Sequence, residues 1–238
     1  MDAMAKKENC MAKGEIDSKK KDDEPRIKVK GGLGYRFSKR VFDLVSSFLM
    51  IVLLSWLLII LFVVQLFVTK GHPIFKDGRI GMKGKMIKVL KFRTMHFDAE
   101  SNIDKYLTPE QKEIWLRERK LENDPRITKF GRFLRKTSLD ELPQLFNILF
   151  GSMSVVGYRP MSLREMTDHF DDEQRAVLYS AKPGLTGYWQ VYGRSGADFE
   201  TGERQKLEIE YFSKRSFFFD LGLIFKTIPA VLKHQGAK

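Results

Sequence analysis

The stretch LVSSFLMIVLLSWLLIILFVVQLFV, Leu44 to Val68, carries no charge over its 25 residues. Its strongly polar members are Ser46, Ser47, Ser55 and Gln65. As a helix it would be about 37 Å long, against a hydrocarbon core of about 30 Å. An uncharged run of that length reads as lipid-embedded rather than as the core helix of a water-soluble domain. A secretory signal peptide fits poorly. The run starts late, is long, and is followed by Lys70-Gly71-His72-Pro73 instead of small residues at a cleavage site.

The flanks decide how such a run sits. Lys28, Lys30, Arg36, Lys39 and Arg40 precede it, and Lys70, Lys76, Arg79, Lys83 and Lys85 follow it. Basic flanks are retained on the cytoplasmic side. A single span cannot satisfy both, whereas a re-entrant hairpin that enters one leaflet and returns can. The spacing predicts its bend at Ser55 and Trp56, with roughly 12 residues or about 18 Å in each half. No Pro or Gly stands at the bend, so freed backbone groups need local partners. The Ser55 hydroxyl is placed to donate to a carbonyl. A single span is the alternative.

Around this run the chain has 238 residues, 43% hydrophobic and 30% charged, enough for one globular domain with attachments. A formal net charge of +12 suits a polyanionic partner: nucleic acid, an anionic membrane surface or a phosphorylated substrate. One cysteine, Cys10, excludes an internal disulfide framework. Residues 1–34 are Lys-rich and poor in large apolar groups, which predicts a disordered tail. Residues 35–70 are expected to form the membrane region, and residues 71–238 a folded domain on the cytosolic side.

Within that domain, Ile74 to Met95 has glycines at 78, 81 and 84 and short alternation, the pattern of a strand or hairpin region. Thr108, Pro109 and Gln111 mark a helix start, with Thr as cap and Gln reaching back. DDEQRAVLYSA predicts a helix ended by Lys182-Pro183-Gly184, and GLTGYWQVYGR a loop and strand. Glu203–Lys214 and Phe217–Lys233 read as helices, with Pro229 a kink or early stop in the second. That last stretch is apolar enough either to lie on a membrane interface or to close the core.

TSLDELPQLFNIL, Thr137 to Leu149, sets Asp140 and Glu141 beside a basic run of Arg126, Lys129, Arg132, Arg135 and Lys136, with Arg159 downstream. Asp140 as a helix cap lets Pro143 fall among the first helical residues, where no N–H is missed. The helix then runs through Leu145, Ile148 and Leu149 to Gly151. A capping role alone would account for Asp140. The clustered arginines point further, to a diphosphate site. Two adjacent carboxylates there suit Mg²⁺, with phosphate oxygens and water completing the shell. Metal and arginines would lower the Asp140 pKa and keep it ionised as a nucleophile toward phosphorus.

KRVFD, KFRTM, DPRITKFGRFLRKTSLDELPQLFNILFGSMSVVGYRP and KPGLTGYWQVYGR together resemble the bacterial sugar transferase family. These are monotopic phosphoglycosyl transferases, or polyprenyl-phosphate hexose-1-phosphate transferases. The resemblance covers about residues 36 to 233 and is most specific from Asp124 to Pro160. It implies an α/β, mostly helical, membrane-associated catalytic domain behind an N-terminal re-entrant helix hairpin. It also implies Mg²⁺ dependence and an Asp-Glu dyad, which maps onto Asp140 and Glu141. Asp140 would attack the β-phosphate of a UDP-sugar, UMP would leave, and undecaprenyl phosphate would take the sugar phosphate from the aspartyl intermediate. The setting would be exopolysaccharide or capsule synthesis at the inner leaflet of the cytoplasmic membrane, facing the cytoplasm, with a homodimer compatible. Glucose, galactose and modified N-acetyl sugars all fit.

The chain departs from the family pattern at three places. Ser55-Trp56 replaces a usual Ser-Pro at the bend, Gly157-Tyr158-Arg159-Pro160 replaces G-P-R-P, and Glu208 stands where Asp is usual. Lys91, Arg93 and Arg194 are further candidates for phosphate or substrate contact. Arg79 and Lys83 face lipid headgroups or form a plain solvated surface, and Trp189 is a core residue or a sugar platform. His72, His96, His169 and His234 show no metal-ligand spacing. A membrane-docked scaffold without enzymatic activity is the competing reading. A nucleic-acid binder is disfavoured, because the basic residues cluster beside the membrane run and the acid pair.

Overall fold

The computed structural model describes residues 27–118, 121–193 and 196–232. Most of the predicted tail lies outside these residues. From Leu33 the chain is helical: α1 spans Leu33–Leu53 and α2 Ser55–Thr69. α2 and the second half of α1 are made of helix-compatible, mostly apolar residues, and neither helix has an internal Gly or Pro beyond Gly34. Among the described residues no single helix is long and apolar enough to cross a membrane. The pair α1 and α2, bent by 65°, meets that requirement jointly by length and composition.

The break falls at Leu54 (φ −97°, ψ 8°), one residue ahead of the predicted Ser55-Trp56. It costs few hydrogen bonds. Leu54 N–H still reaches the Met50 carbonyl at 2.9 Å, and the Ser55 hydroxyl donates to the Val52 carbonyl at 2.9 Å. A serine therefore does locally what a proline would force sterically.

The two helices attach to the domain differently. Tyr35, Lys39, Asp43 and Ser47 recur every four residues and share one face of α1. Lys39 and Tyr35 donate to Asp220 at 2.5 and 2.9 Å, and Arg40 donates to the carbonyls of Ile148 and Leu149 at 2.8 and 2.9 Å. Asp43, buried, accepts from Ser154 Oγ at 3.0 Å and Val155 N–H at 2.9 Å. Two of the charges counted as a cytoplasmic flank, Lys39 and Arg40, are thus spent inside the protein. On α2, Leu57, Leu58 and Leu61 pack against Phe92, Phe130, Leu134, Leu139 and Leu142, while Trp56, at 61% exposure, points outward.

β1 (Ile74–Ile80) and β2 (Met86–Phe92) form the expected antiparallel hairpin, with Asp77 opposite Val89 and Arg79 opposite Ile87. Lys83 and Gly84 take φ of 61° and 68° in its turn. Short α3 (Ile103–Tyr106) leads to α4 (Pro109–Glu118), which starts as predicted. Gln111 N–H donates to Thr108 Oγ1 at 3.3 Å, and Gln111 Oε1 accepts from Thr108 N–H at 3.1 Å. α5 (Lys129–Thr137) is capped by Thr128. Gly131 lets it touch the KFRTM segment, since a Cβ there would lie 2.0 Å from the Thr94 carbonyl oxygen.

α6 (Gln144–Leu149), β3 (Ser154–Val156), α7 (Leu163–His169) and α8 (Asp172–Tyr179) follow. α7 and α8 each begin with a capping box, Ser162 with Glu165 and Asp171 with Gln174. β4 (Gly184–Thr186) pairs parallel with β3. The expected loop and strand after Gly184 becomes this three-residue strand and then a helix, α9 (Tyr188–Tyr192). α10 (Glu203–Lys214) and α11 (Phe217–Leu232) complete the described fold, and α11 continues through Pro229 instead of stopping there. The domain is mostly helical with two small sheets among the described residues. Its main core gathers Tyr158, Met161, Met166, Leu178, Tyr211, Phe212 and Leu223. α11 closes the core with one face and leaves large apolar side chains exposed on another. Leu223 is buried, while Phe218 and Phe225 are 82% and 69% exposed.

Candidate active site

Ser138 ends α5 in the left-handed region (φ 57°), its N–H bonded to the carbonyls of Arg135 and Leu134. A tight turn follows over Leu139–Glu141, closed by Glu141 N–H to Ser138 at 3.2 Å and Leu142 N–H to Leu139 at 3.3 Å. Asp140 therefore does not cap α6. That helix begins at Gln144 after Pro143, with no side-chain cap. Leu139 and Leu142 pack into the core beside α2, and this fixes the turn without any help from the carboxylates. α6 ends as predicted, with Gly151 at φ 84°.

The capping account of Asp140 is thereby removed. Apart from Asp140's own main-chain N–H, no hydrogen bond from a described residue reaches either carboxylate. Burial pushes the Asp140 pKa up to about 6, and the adjacent Glu141 adds to it. Lys91 and Arg135 act in the opposite direction and are outweighed. The expected depression is thus absent in the protein alone, because desolvation of a half-buried carboxyl exceeds what two offset cations return. Arg135 is itself pushed down by burial, and its Nε is held by Thr94 Oγ1 at 2.9 Å.

Glu141 opens onto a shallow cleft whose wall includes Arg79, Val89, Lys91, Gln144, Arg159, Leu185 and Gln190. Its floor follows from strand periodicity. Residues 77, 79, 87, 89 and 91 share one face of the hairpin, so an acid and two cations stand together there. Asp77 holds Arg79 at 2.8 Å and Lys91 at 3.2 Å, and Glu165 holds Arg79 from the other side at 2.9 Å. Arg79 is therefore a cleft residue, ion-paired on two sides, and not part of a plain solvated surface.

Of the cations singled out in the sequence, Lys91 and Arg159 reach the cleft and Arg135 stands beside Asp140. Arg126 does not. It is buried, clasps Asp124 with bonds of 2.7 to 3.2 Å, and stacks on Trp115 at 4.7 Å. Arg132 lies on the exposed face of α5. Arg93 donates to the His72 carbonyl at 2.9 Å and stacks on Phe97 at 5.0 Å. Arg194 lies outside the described residues.

Behind Arg159, Glu208 is fully buried and accepts its main-chain N–H at 3.3 and 3.4 Å. Burial pushes Glu208 up to about 7, against the downward pull of Arg204 and Arg159. Arg204, pushed down to about 10 by burial, sits between the rings of Trp189 at 4.2 Å and Phe199 at 3.9 Å. Trp189 is thus a platform for arginines. Sequence reading missed Asp77, Gln144, Glu165 and Gln190. Period-2 alternation in β1 and β2 signals Asp77, and Gln144 stands three residues after Glu141; Glu165 and Gln190 come from segments that only packing unites.

Among the described residues no three His, Cys, Asp or Glu side chains cluster as a metal site. The donor set is the Asp140–Glu141 pair with unspent oxygens. That fits a hard cation that takes one or two carboxylates and completes its shell with water and substrate phosphate, as Mg²⁺ does.

A family model described as bacterial sugar transferase matches residues 34–234. The chain is 42% identical over 205 residues to the UDP-galactose-lipid carrier transferase of Erwinia amylovora, covering 85% of this chain and 42% of that protein. It is 41% identical over 206 residues to the undecaprenyl-phosphate galactose phosphotransferase of Salmonella typhimurium, with 85% and 42% covered. It is 40% identical over 203 residues to the exopolysaccharide production protein ExoY of Rhizobium meliloti, with 84% and 88% covered. The chain therefore spans less than half the length of the first two relatives and most of the third.

Proposed function

This chain belongs to the bacterial sugar transferase family, of the polyprenyl-phosphate hexose-1-phosphate transferase type, and from that premise we propose that it moves a sugar 1-phosphate from a UDP-sugar to undecaprenyl phosphate. An Asp140 oxygen attacks the β-phosphorus. The bond from that phosphorus to the bridging oxygen breaks, and UMP leaves with the electron pair. A phosphate oxygen of undecaprenyl phosphate then attacks the same phosphorus and expels the Asp140 carboxylate, so the enzyme is regenerated without net proton transfer. Splitting the transfer lets a water-soluble donor and a lipid acceptor use one anionic site in turn.

The observation that carries this reading is the unspent Asp140–Glu141 pair beside a cleft lined by Arg79, Lys91 and Arg159. Phosphoryl transfer asks for alignment and charge neutralisation, which these cations supply. Mg²⁺ held by Asp140 and Glu141 would add further neutralisation of phosphoryl oxygens. Placement at the membrane is part of the proposal. If the 65° bend is shared equally, each helix inclines roughly 32° to the surface. α2, about 22 Å long, would then reach about 12 Å deep, within one leaflet of about 15 Å. That re-entrant seating at the inner leaflet of the cytoplasmic membrane would hold the cleft at headgroup level, where a prenyl phosphate presents its anion, and would initiate a lipid-linked glycan. Of the three relatives named above two are named for galactose, so UDP-galactose heads the substrate panel with UDP-glucose beside it. UMP release from that panel, with detergent-solubilised protein, Mg²⁺ and undecaprenyl phosphate, tests the reading. Silence across the panel from folded protein refutes it.

A further inference from the structure

Six buried side-chain atoms among the described residues lack a hydrogen-bond partner. Such orphans are uncommon and each calls for a reason. Two belong to Arg204, whose guanidinium is sandwiched between aromatic rings that interact with its N–H groups. Two belong to Gln65 on α2 and one to Gln205, neither of which borders the cleft. The sixth, Oε1 of Gln190, belongs to a residue of the cleft wall.

The orientation of that amide is fixed. Its Nε2 donates to the Leu185 carbonyl at 3.2 Å, and the flipped amide would set oxygen against oxygen. The free end is therefore an acceptor. Gly187 lets the main chain pack against it without supplying a donor, since a Cβ there would lie 2.7 Å from Oε1 and 2.0 Å from the Gly157 carbonyl. The neighbouring cations Arg79, Lys91 and Arg159 can only donate. A neutral acceptor of set direction does nothing for a diphosphate, which offers no donor. Its complement is an N–H or O–H elsewhere on the same ligand.

We propose that Gln190 is a specificity-determining residue whose Oε1 accepts a hydrogen bond from a donor group of the nucleotide-sugar, a sugar hydroxyl or the N–H of the pyrimidine ring. This rests on the function proposed above. Calorimetric titration of UDP and of UDP-galactose into the full chain and into Gln190→Met tests it. Loss of one buried hydrogen bond weakens binding by about three- to tenfold. A loss confined to UDP-galactose assigns a galactose hydroxyl, and an equal loss with UDP assigns the uridine, through its base N–H or a ribose hydroxyl. Equal affinities of both proteins for both ligands overturn the inference alone, whereas a wild-type chain that binds neither ligand overturns the function reading beneath it as well. Should Gln190→Met fail to fold, N3-methyl-UDP and monodeoxy-galactose analogues on the wild-type chain answer the same question. One missing donor weakens binding, and tolerance of every analogue sinks the proposal.

Discussion

Two sets of acids in this protein sit among cations, and they differ in how much of their hydrogen-bonding capacity is used. At the α1 junction, Asp220 takes bonds from Lys39, Tyr35 and Tyr211, and Asp43 takes bonds from Ser154 and Val155. At the cleft, Asp140 and Glu141 take none from another described residue's N–H or O–H, although Lys91 and Arg135 stand near. Glu208 lies between these extremes, with two long bonds from one N–H. Burial and nearby positive charge are common to all. What marks a carboxylate for chemistry is oxygen left over after the fold has taken its share.

Asp140→Asn breaks the contrast most directly. The amide is a poor nucleophile, so turnover should fall by about a thousandfold or more, while the melting temperature stays within a few degrees. Retained turnover would remove Asp140 from the chemistry. At the saturated end, Asp220→Asn leaves Lys39 without its counter-charge and should destabilise the fold by about 3 kcal/mol in denaturant unfolding. The folded fraction should keep turnover within tenfold, because no Asp220 atom borders the cleft.

Glu208 supplies a pH test. Its folded value of about 7 lies above its ordinary 4.5, so between those values the folded state binds more protons than the unfolded one. Stability should fall as pH rises from 4.5 to 7 and level off above, by roughly 3 kcal/mol at most. Glu208→Gln should lack that slope, and parallel pH–stability curves would contradict the assignment. The smallest effect concerns the metal. Asp140 should titrate near 6 in metal-free protein, and saturating Mg²⁺ should lower that value by one unit or more, read by carboxyl carbon NMR. An unmoved titration would place the cation elsewhere.

Much of this was legible beforehand, for local reasons. The cap at Thr108, the glycine end of α6 and the hairpin turn are decided within a few residues, and there reading and structure agree. Asp140 as a helix cap was misread because hydrophobic contacts of Leu139 and Leu142 set that turn. Among the arginines, Arg126 looked like a phosphate ligand until Asp124, two residues away, was seen to consume it.

From the amino-acid order alone came the long uncharged run, the excess of positive charge and the adjacent acids, since these are properties of the chain in any conformation. Which charges remain available was settled by the tertiary structure. Lys39 meets Asp220, and Arg40 meets Ile148 and Leu149, across more than a hundred residues. A side chain carries its charge wherever it lies, but whether its hydrogen bonds are already taken depends on neighbours that packing brings to it.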